Sequence, residues 1–298
     1  MPDQPSDAAP VVDLWSLQPP SGSGSAVSGA SGSSGSSGSE SGEDEASTED
    51  APPRRSRRRA HEARTDWRLG GRTVFRWREG LLAIALISLG ASVLLGSLVA
   101  AVWDSPWAAA SATVIVWIGM LLPVAWAFTR SRPIGLLRVR ALDVLYGLVL
   151  GALLRTTQGW IEGLDGTPAV LPSVVRVDGS VPLSGVMFDV VAPVVVAPVV
   201  EEFFFRAVVL VSLYTVLRRP FGKLTAGLAA ALGSTALFVV VHGISSVGDV
   251  SGVVSLSLLG LVCAVLVLLT GRIWGAVLVH LVYNASYVAL AVLASAMT

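Results

Sequence analysis

Cysteine is almost absent from this chain: Cys263 is the only one in 298 residues. A disulfide framework and a thiolate metal cluster are both excluded by that count. Charge is scarce too, at 14% of residues, where an ordinary soluble domain carries about 25%. Lysine occurs once, at Lys223, and histidine three times. Basic residues form no stripe beyond short arginine runs beside apolar segments, so no nucleic-acid partner is expected. What fills the space is apolar: 53% of residues are hydrophobic and the mean hydropathy is +0.68. The composition is that of a polytopic membrane protein, all-α, with the lipid bilayer as its first partner.

The formal net charge of zero hides an asymmetry, since 10 of the 21 acidic residues lie in residues 1–65. That stretch contains the Ser/Gly run Ser21 to Gly42, the acidic patch Glu43 to Asp50, and then Arg54, Arg55, Arg57, Arg58 and Arg59. Such a composition cannot bury enough apolar surface to offset the entropy of ordering, so 1–65 is expected to be a disordered tail with a basic, membrane-proximal end. The N-terminus has neither a basic n-region nor an apolar h-region, and no secretory leader is expected.

From Leu81 onward, apolar runs alternate with short polar breaks. A crossing needs about 20 apolar residues. The expected spans are 81–103, 107–128, 141–155, 184–213, 225–242, 251–270 and 273–296, about seven in all. The third is short, and Pro193 and Pro198 make a break within the fourth an expectation. The chain divides into the tail 1–65, the first two spans within 66–133, and a core over 134–298. Arg68, Arg72, Arg76 and Arg78 precede the first span and place the N-terminus in the cytoplasm. Seven crossings then put Arg130, Arg132, Arg138 and Arg140, next Arg218, Arg219 and Lys223, and finally Arg272 on that same side. The expected location is the cell membrane.

Ionisable groups inside a span cost about 2.5–3.5 kcal/mol each at its centre and mark function by default. Here they gather in the last third. Glu202 and Arg206 stand four apart with the acid first, the favourable order for a helical pair. Glu201, turned about 100° away, is left without an intrahelical partner and suits a general base or acid. His242 ends the fifth run, and His280 and Asn284 lie one turn apart on the last. A single buried histidine is ordinarily an interhelical hydrogen-bonding residue. All six polar groups on three helices argue for a site.

These motifs resemble those of the CAAX-processing and bacteriocin-processing intramembrane proteases, which are similar to the eukaryotic prenyl-protein endopeptidase. The family pattern of Glu-Glu, three residues and Arg falls on Glu201, Glu202 and Arg206. That of Phe, three residues and His falls on Phe238 and His242, and that of His, three residues and Asn on His280 and Asn284. The resemblance covers about residues 134–296, and Ala207 stands where a Gly commonly follows the Arg. It implies hydrolysis of a peptide bond in a membrane protein or peptide substrate. Glu201, assisted by His242, would deprotonate a water; His280 and Asn284 would stabilise the oxyanion; Glu202 and Arg206 would position the site. It also admits a zinc alternative, with Glu201, His242 and His280 as ligands and an open position for water.

Other intramembrane proteases fit less well. Gly233-Ser234-Thr235 is not a rhomboid-type nucleophile turn, Asp189 has no second intramembrane aspartate as presenilin-like enzymes need, and HExxH is absent. A rival reading is a non-catalytic scaffold, immunity factor or proton-relay protein built on the same polar network. Depth is a test of the site. At 1.5 Å per residue, His280 lies about 12 Å beyond Arg272 but His242 about 28 Å beyond Lys223. The two meet only if residues 214–228, with Pro220, Gly222 and Gly227, form a hairpin.

Overall fold

The computed structural model describes residues 66–69, 74, 76–164, 186–243 and 250–297. The tail 1–65 and residues 165–185 and 244–249 lie outside the described residues. Those described are helical or in short turns, without a strand, as expected where lipid leaves every backbone group to be satisfied within its own segment. Helix α1 is Glu79–Val102, α2 Ala108–Arg130 and α3 Ala141–Leu164. A wide-turned π-helical stretch, Val186–Val196, leads into the short α4, Ala197–Glu202, and a second, Phe203–Leu210, leads out of it into α5, Val211–Gly243. Helices α6, Val250–Thr270, and α7, Trp274–Met297, complete the bundle.

Five of these runs are long and apolar enough to cross a membrane: Glu79–Val102, Ala108–Arg130, Val186–Gly243, Val250–Thr270 and Trp274–Ala294. Their outward faces carry large aliphatic side chains, such as Ile87 at 70% and Leu94 at 74% exposed. Lipid, not water, is the solvent those faces match. The protein is a multi-pass membrane protein with an all-helical bundle.

The third run is longer than its hydropathy indicates, ending at Leu164 and not near 155. Arg155, Gln158 and Glu162 interrupt the apolar pattern but are satisfied locally. Arg155 donates to Gln158 Oε1 at 2.8 Å, to Ser286 Oγ at 3.2 Å and to the Tyr283 carbonyl at 2.9 Å. Its guanidinium also lies 4.3 Å from the Tyr283 ring centre. Helices α3 and α7 pack closely at Gly147 and Gly151, where an added Cβ would stand 2.5 Å from Leu278 Cβ and 2.8 Å from Val282 Cβ. Small residues one turn apart are what let two backbones approach in lipid.

The fourth run does not break at Pro193. Pro193 lies inside the π-helical stretch, and Pro198 sits in the first turn of α4. A missing N–H is tolerated where turns widen or a helix starts. The expected hairpin at 214–228 is sharper than a loop. Helix persists on both sides of one corner, Gly222, whose φ of 75° and ψ of 176° no L side chain readily adopts. The two arms fold back on each other: Ser234 Oγ donates to the Phe205 carbonyl at 2.8 Å, and the Phe205 and Phe238 ring centres are 5.3 Å apart. Because the chain reverses at Gly222, residues nearly equidistant from it share a depth, and Glu201 and His242 are such a pair.

Candidate active site

Glu201 and Glu202 end α4, and their side chains diverge into different surroundings. Glu202 and Arg206 are both fully buried, with Glu202 Oε1 3.1 Å from Arg206 Nη1. Arg206 also donates through Nη2 to the Gly260 carbonyl at 3.1 Å and lies 4.7 Å from the centre of the Phe238 ring. A lone charge at such a place would be costly; a pair with further hydrogen bonds and an aromatic face is the arrangement that makes it tolerable.

The same Glu202 Oε1 lies 3.1 Å from His280 Nδ1, so this carboxylate oxygen ties α4 and α7 together. His280 is 3% exposed. Its other nitrogen, Nε2, faces Glu201 Oε2 at 3.8 Å. From the opposite side, His242 Nε2 faces that Glu201 oxygen at 3.5 Å, while His242 Nδ1 donates to the Phe238 carbonyl at 2.8 Å. The Phe238 ring, 4.3 Å from the His242 ring and 5.8 Å from that of His280, separates this group from the bulk of the bundle.

These contacts fix the proton positions. A carbonyl or carboxylate oxygen only accepts, so each histidine carries hydrogen on Nδ1 and, when neutral, turns a lone pair on Nε2 toward Glu201. Glu201 Oε2 is buried and makes no hydrogen bond within the protein. Three electron-rich atoms facing one another in a low dielectric require a hydrogen among them, from a protonated member or from a donor such as water. The arrangement is that of a group able to take up and return a proton.

Asn284, half-buried, donates through Nδ2 to the Pro193 carbonyl at 2.8 Å, bridging α7 to the π-helical stretch. An amide nitrogen has two hydrogens, so this bond leaves one to donate. The structure thus brings Glu201, Glu202, Arg206, His242 and His280 into one connected cluster, with Asn284 one turn beyond His280. As to a metal, among the described residues no group of three or more His, Cys, Asp or Glu is placed to hold one. No such grouping supports the zinc alternative of Glu201, His242 and His280.

Two features escaped the sequence. The Gly260 and Pro193 carbonyls hold Arg206 and Asn284, and a backbone acceptor leaves no signal in residue type. The other is a cavity of about 350 Å³ that ends on Glu201 and His242. It is lined by Val93, Gly96, Ala100, Ala112, Val116 and Trp117 of α1 and α2, among others. The first two spans, which take no part in the motifs, form its walls.

Comparison with known proteins returns a family match over this region. Residues 183–286, about a third of the chain, match the family described as Type II CAAX prenyl endopeptidase Rce1-like. No curated protein and no solved structure matches the chain. The matched segment ends just past Asn284 and holds all six candidate residues. Over residues 183–286 the chain is similar to this family of membrane proteases.

Proposed function

We propose that the protein is an intramembrane endopeptidase in which Glu201 and His242 activate a water for attack on a peptide carbonyl. The observation that carries this reading is the convergence of His242 Nε2 and His280 Nε2 on Glu201 Oε2, with Glu201 and His242 at the end of a mostly apolar cavity. A water hydrogen-bonded to Glu201 gives its proton to the Glu201–His242 pair as its oxygen bonds to the scissile carbon. The carbonyl oxygen becomes an oxyanion, stabilised by the second Nδ2 hydrogen of Asn284 and by His280 with Nε2 protonated. When the tetrahedral intermediate collapses, the carbon–nitrogen bond breaks and the leaving amine takes the stored proton. Glu202 positions His280 and is itself held by Arg206.

The cavity walls are mostly apolar, with Ser97 and Thr113 among them, which suits the apolar portion of a membrane protein or peptide substrate. The arginine placement supports a cytoplasmic N-terminus in the cell membrane. Arg68, Arg138, Arg140 and Arg272, expected on one side, line one pocket, and Arg218 donates to the Arg68 carbonyl at 2.8 Å.

The test compares peptide termini in membranes of cells carrying wild-type protein or Glu201→Gln at equal expression. Termini present with wild type and lost in the variant support hydrolysis. Identical termini with a folded variant would favour a scaffold or relay built from the same residues.

A further inference from the structure

A second site lies at one end of the bundle. A cavity of about 250 Å³ is lined by Asp66, Arg68, Gly135, Arg138, Arg140, Thr270, Gly271 and Arg272. Two of its four guanidinium groups are engaged. Arg272 holds the buried Asp143 at 2.7 Å, and that carboxylate also caps the start of α3 by accepting from the Arg140 N–H at 2.8 Å. Arg68 pairs with Asp66 at 2.7 Å and donates to the carbonyls of Leu268 and Leu269, at the C-terminal end of α6. Gly271, with φ of 70°, lets Arg68 lie against the turn: an added Cβ would stand 3.0 Å from Arg68 Nε.

Arg138 and Arg140 have no carboxylate partner among the described residues, and both side chains are exposed. Four guanidinium groups face two carboxylates, Asp66 and Asp143, so the pocket holds two unmatched positive charges. Its position decides what matches them. The walls are the ends of apolar helices, between Arg130 and Ala141 on one side and Thr270 and Trp274 on the other. Ile134, Val139 and Leu269, at 60%, 64% and 73% exposed, stand beside the charged groups in these turns and at the end of α6. A cationic cup next to exposed aliphatic side chains fits a phosphate that carries acyl chains.

We propose that this pocket binds the phosphate of an anionic membrane lipid, with Arg138 and Arg140 as its direct ligands and Arg68 and Arg272 as the positive wall behind them. The guanidinium fork suits two phosphate oxygens at once, and a lipid seated there would brace the junction of α3, α6 and α7. The pocket is separate from the Glu201 cluster, so the proposal does not depend on the hydrolytic reading.

The test is lipid titration of the full chain in detergent, followed by native mass spectrometry. Phosphatidylglycerol and phosphatidylcholine of identical acyl chains are compared, and inorganic phosphate is added in a separate arm. Wild-type protein should prefer phosphatidylglycerol about tenfold or more. Arg138→Gln/Arg140→Gln should abolish the preference, whereas Arg138→Lys/Arg140→Lys should keep most of it. Arg132→Gln/Arg219→Gln, which removes the same charge elsewhere, should leave it intact. No preference in wild type, or equal loss in both Gln pairs, would overturn the proposal. Displacement of the lipid by inorganic phosphate at similar concentration would reassign the pocket to a free anion and overturn the lipid claim. The Lys pair, which keeps both positive charges, guards against a misfolded Gln pair: a preference kept in the Lys pair and lost in the Gln pair supports binding through these cations.

Discussion

His242 Nε2 stands 3.5 Å from Glu201 Oε2 across a hairpin that turns at Gly222. The two residues belong to opposite arms, and their meeting depends on where that corner falls. Moving the corner by one residue would slide one arm by about 3 Å against the other. Gly222→Val, which forces a branched side chain into a positive φ, should therefore lower both stability and activity. The expected stability loss is about 1–3 kcal/mol, read as a lower melting temperature of the purified protein.

Arg206→Leu should be far more damaging to folding than any change at Glu201. It strands the Glu202 carboxylate in a fully buried place, and breaking such a pair costs about 3–5 kcal/mol. Arg206→Leu/Glu202→Leu removes both charges and should recover part of that stability without recovering activity, since His280 would have lost its Nδ1 partner. Expression level and melting temperature of the single and double variants check this.

Asn284→Ala should reduce kcat by about 10²–10³-fold, the usual loss for one oxyanion donor. Its bond to the Pro193 carbonyl is a single neutral hydrogen bond, so the cost in stability should be only about 1 kcal/mol. An intact KM with a lowered kcat would match a group that acts in the transition state. A raised KM with unchanged kcat would contradict that role.

The cavity makes a separate prediction. Ala100→Phe, on the cavity wall, should narrow it without touching the catalytic cluster. Cleavage should fall mainly through KM, with the melting temperature unchanged, because Ala100 is exposed on its helix. Equal cleavage by this variant would place the substrate elsewhere.

Metal removal is the fifth test. If water is activated by Glu201 and His242, as proposed, incubation with a strong chelator should leave cleavage unchanged. Loss of activity on chelation and its return on adding zinc would show that Glu201, His242 and His280 rearrange to hold a metal.

The parts legible in the sequence share a reason: they are polar residues in an apolar background. Glu201, Glu202, Arg206, His242, His280 and Asn284 stand out because lipid makes each of them costly. The runs that became α1, α2, α6 and α7 were legible from unbroken hydropathy. The end of α3 was not, since Arg155 and Glu162 read as a boundary until Tyr283 and Ser286 of α7 are seen to satisfy the arginine. The cavity was invisible for the opposite reason. It is defined by what Gly96, Ala100 and Ala112 lack, and small residues in a span are also the ordinary means of helix packing. The π-helical turns around α4 carry no residue pattern apart from the two prolines.

The central claim is that Glu201 is the group that activates water. Its most direct test is the rate of peptide release from a native membrane substrate by wild-type protein and by Glu201→Gln, at equal amounts of folded enzyme. The account predicts a fall of at least about 10²-fold with an unchanged melting temperature. Release at the wild-type rate by the folded variant would contradict it.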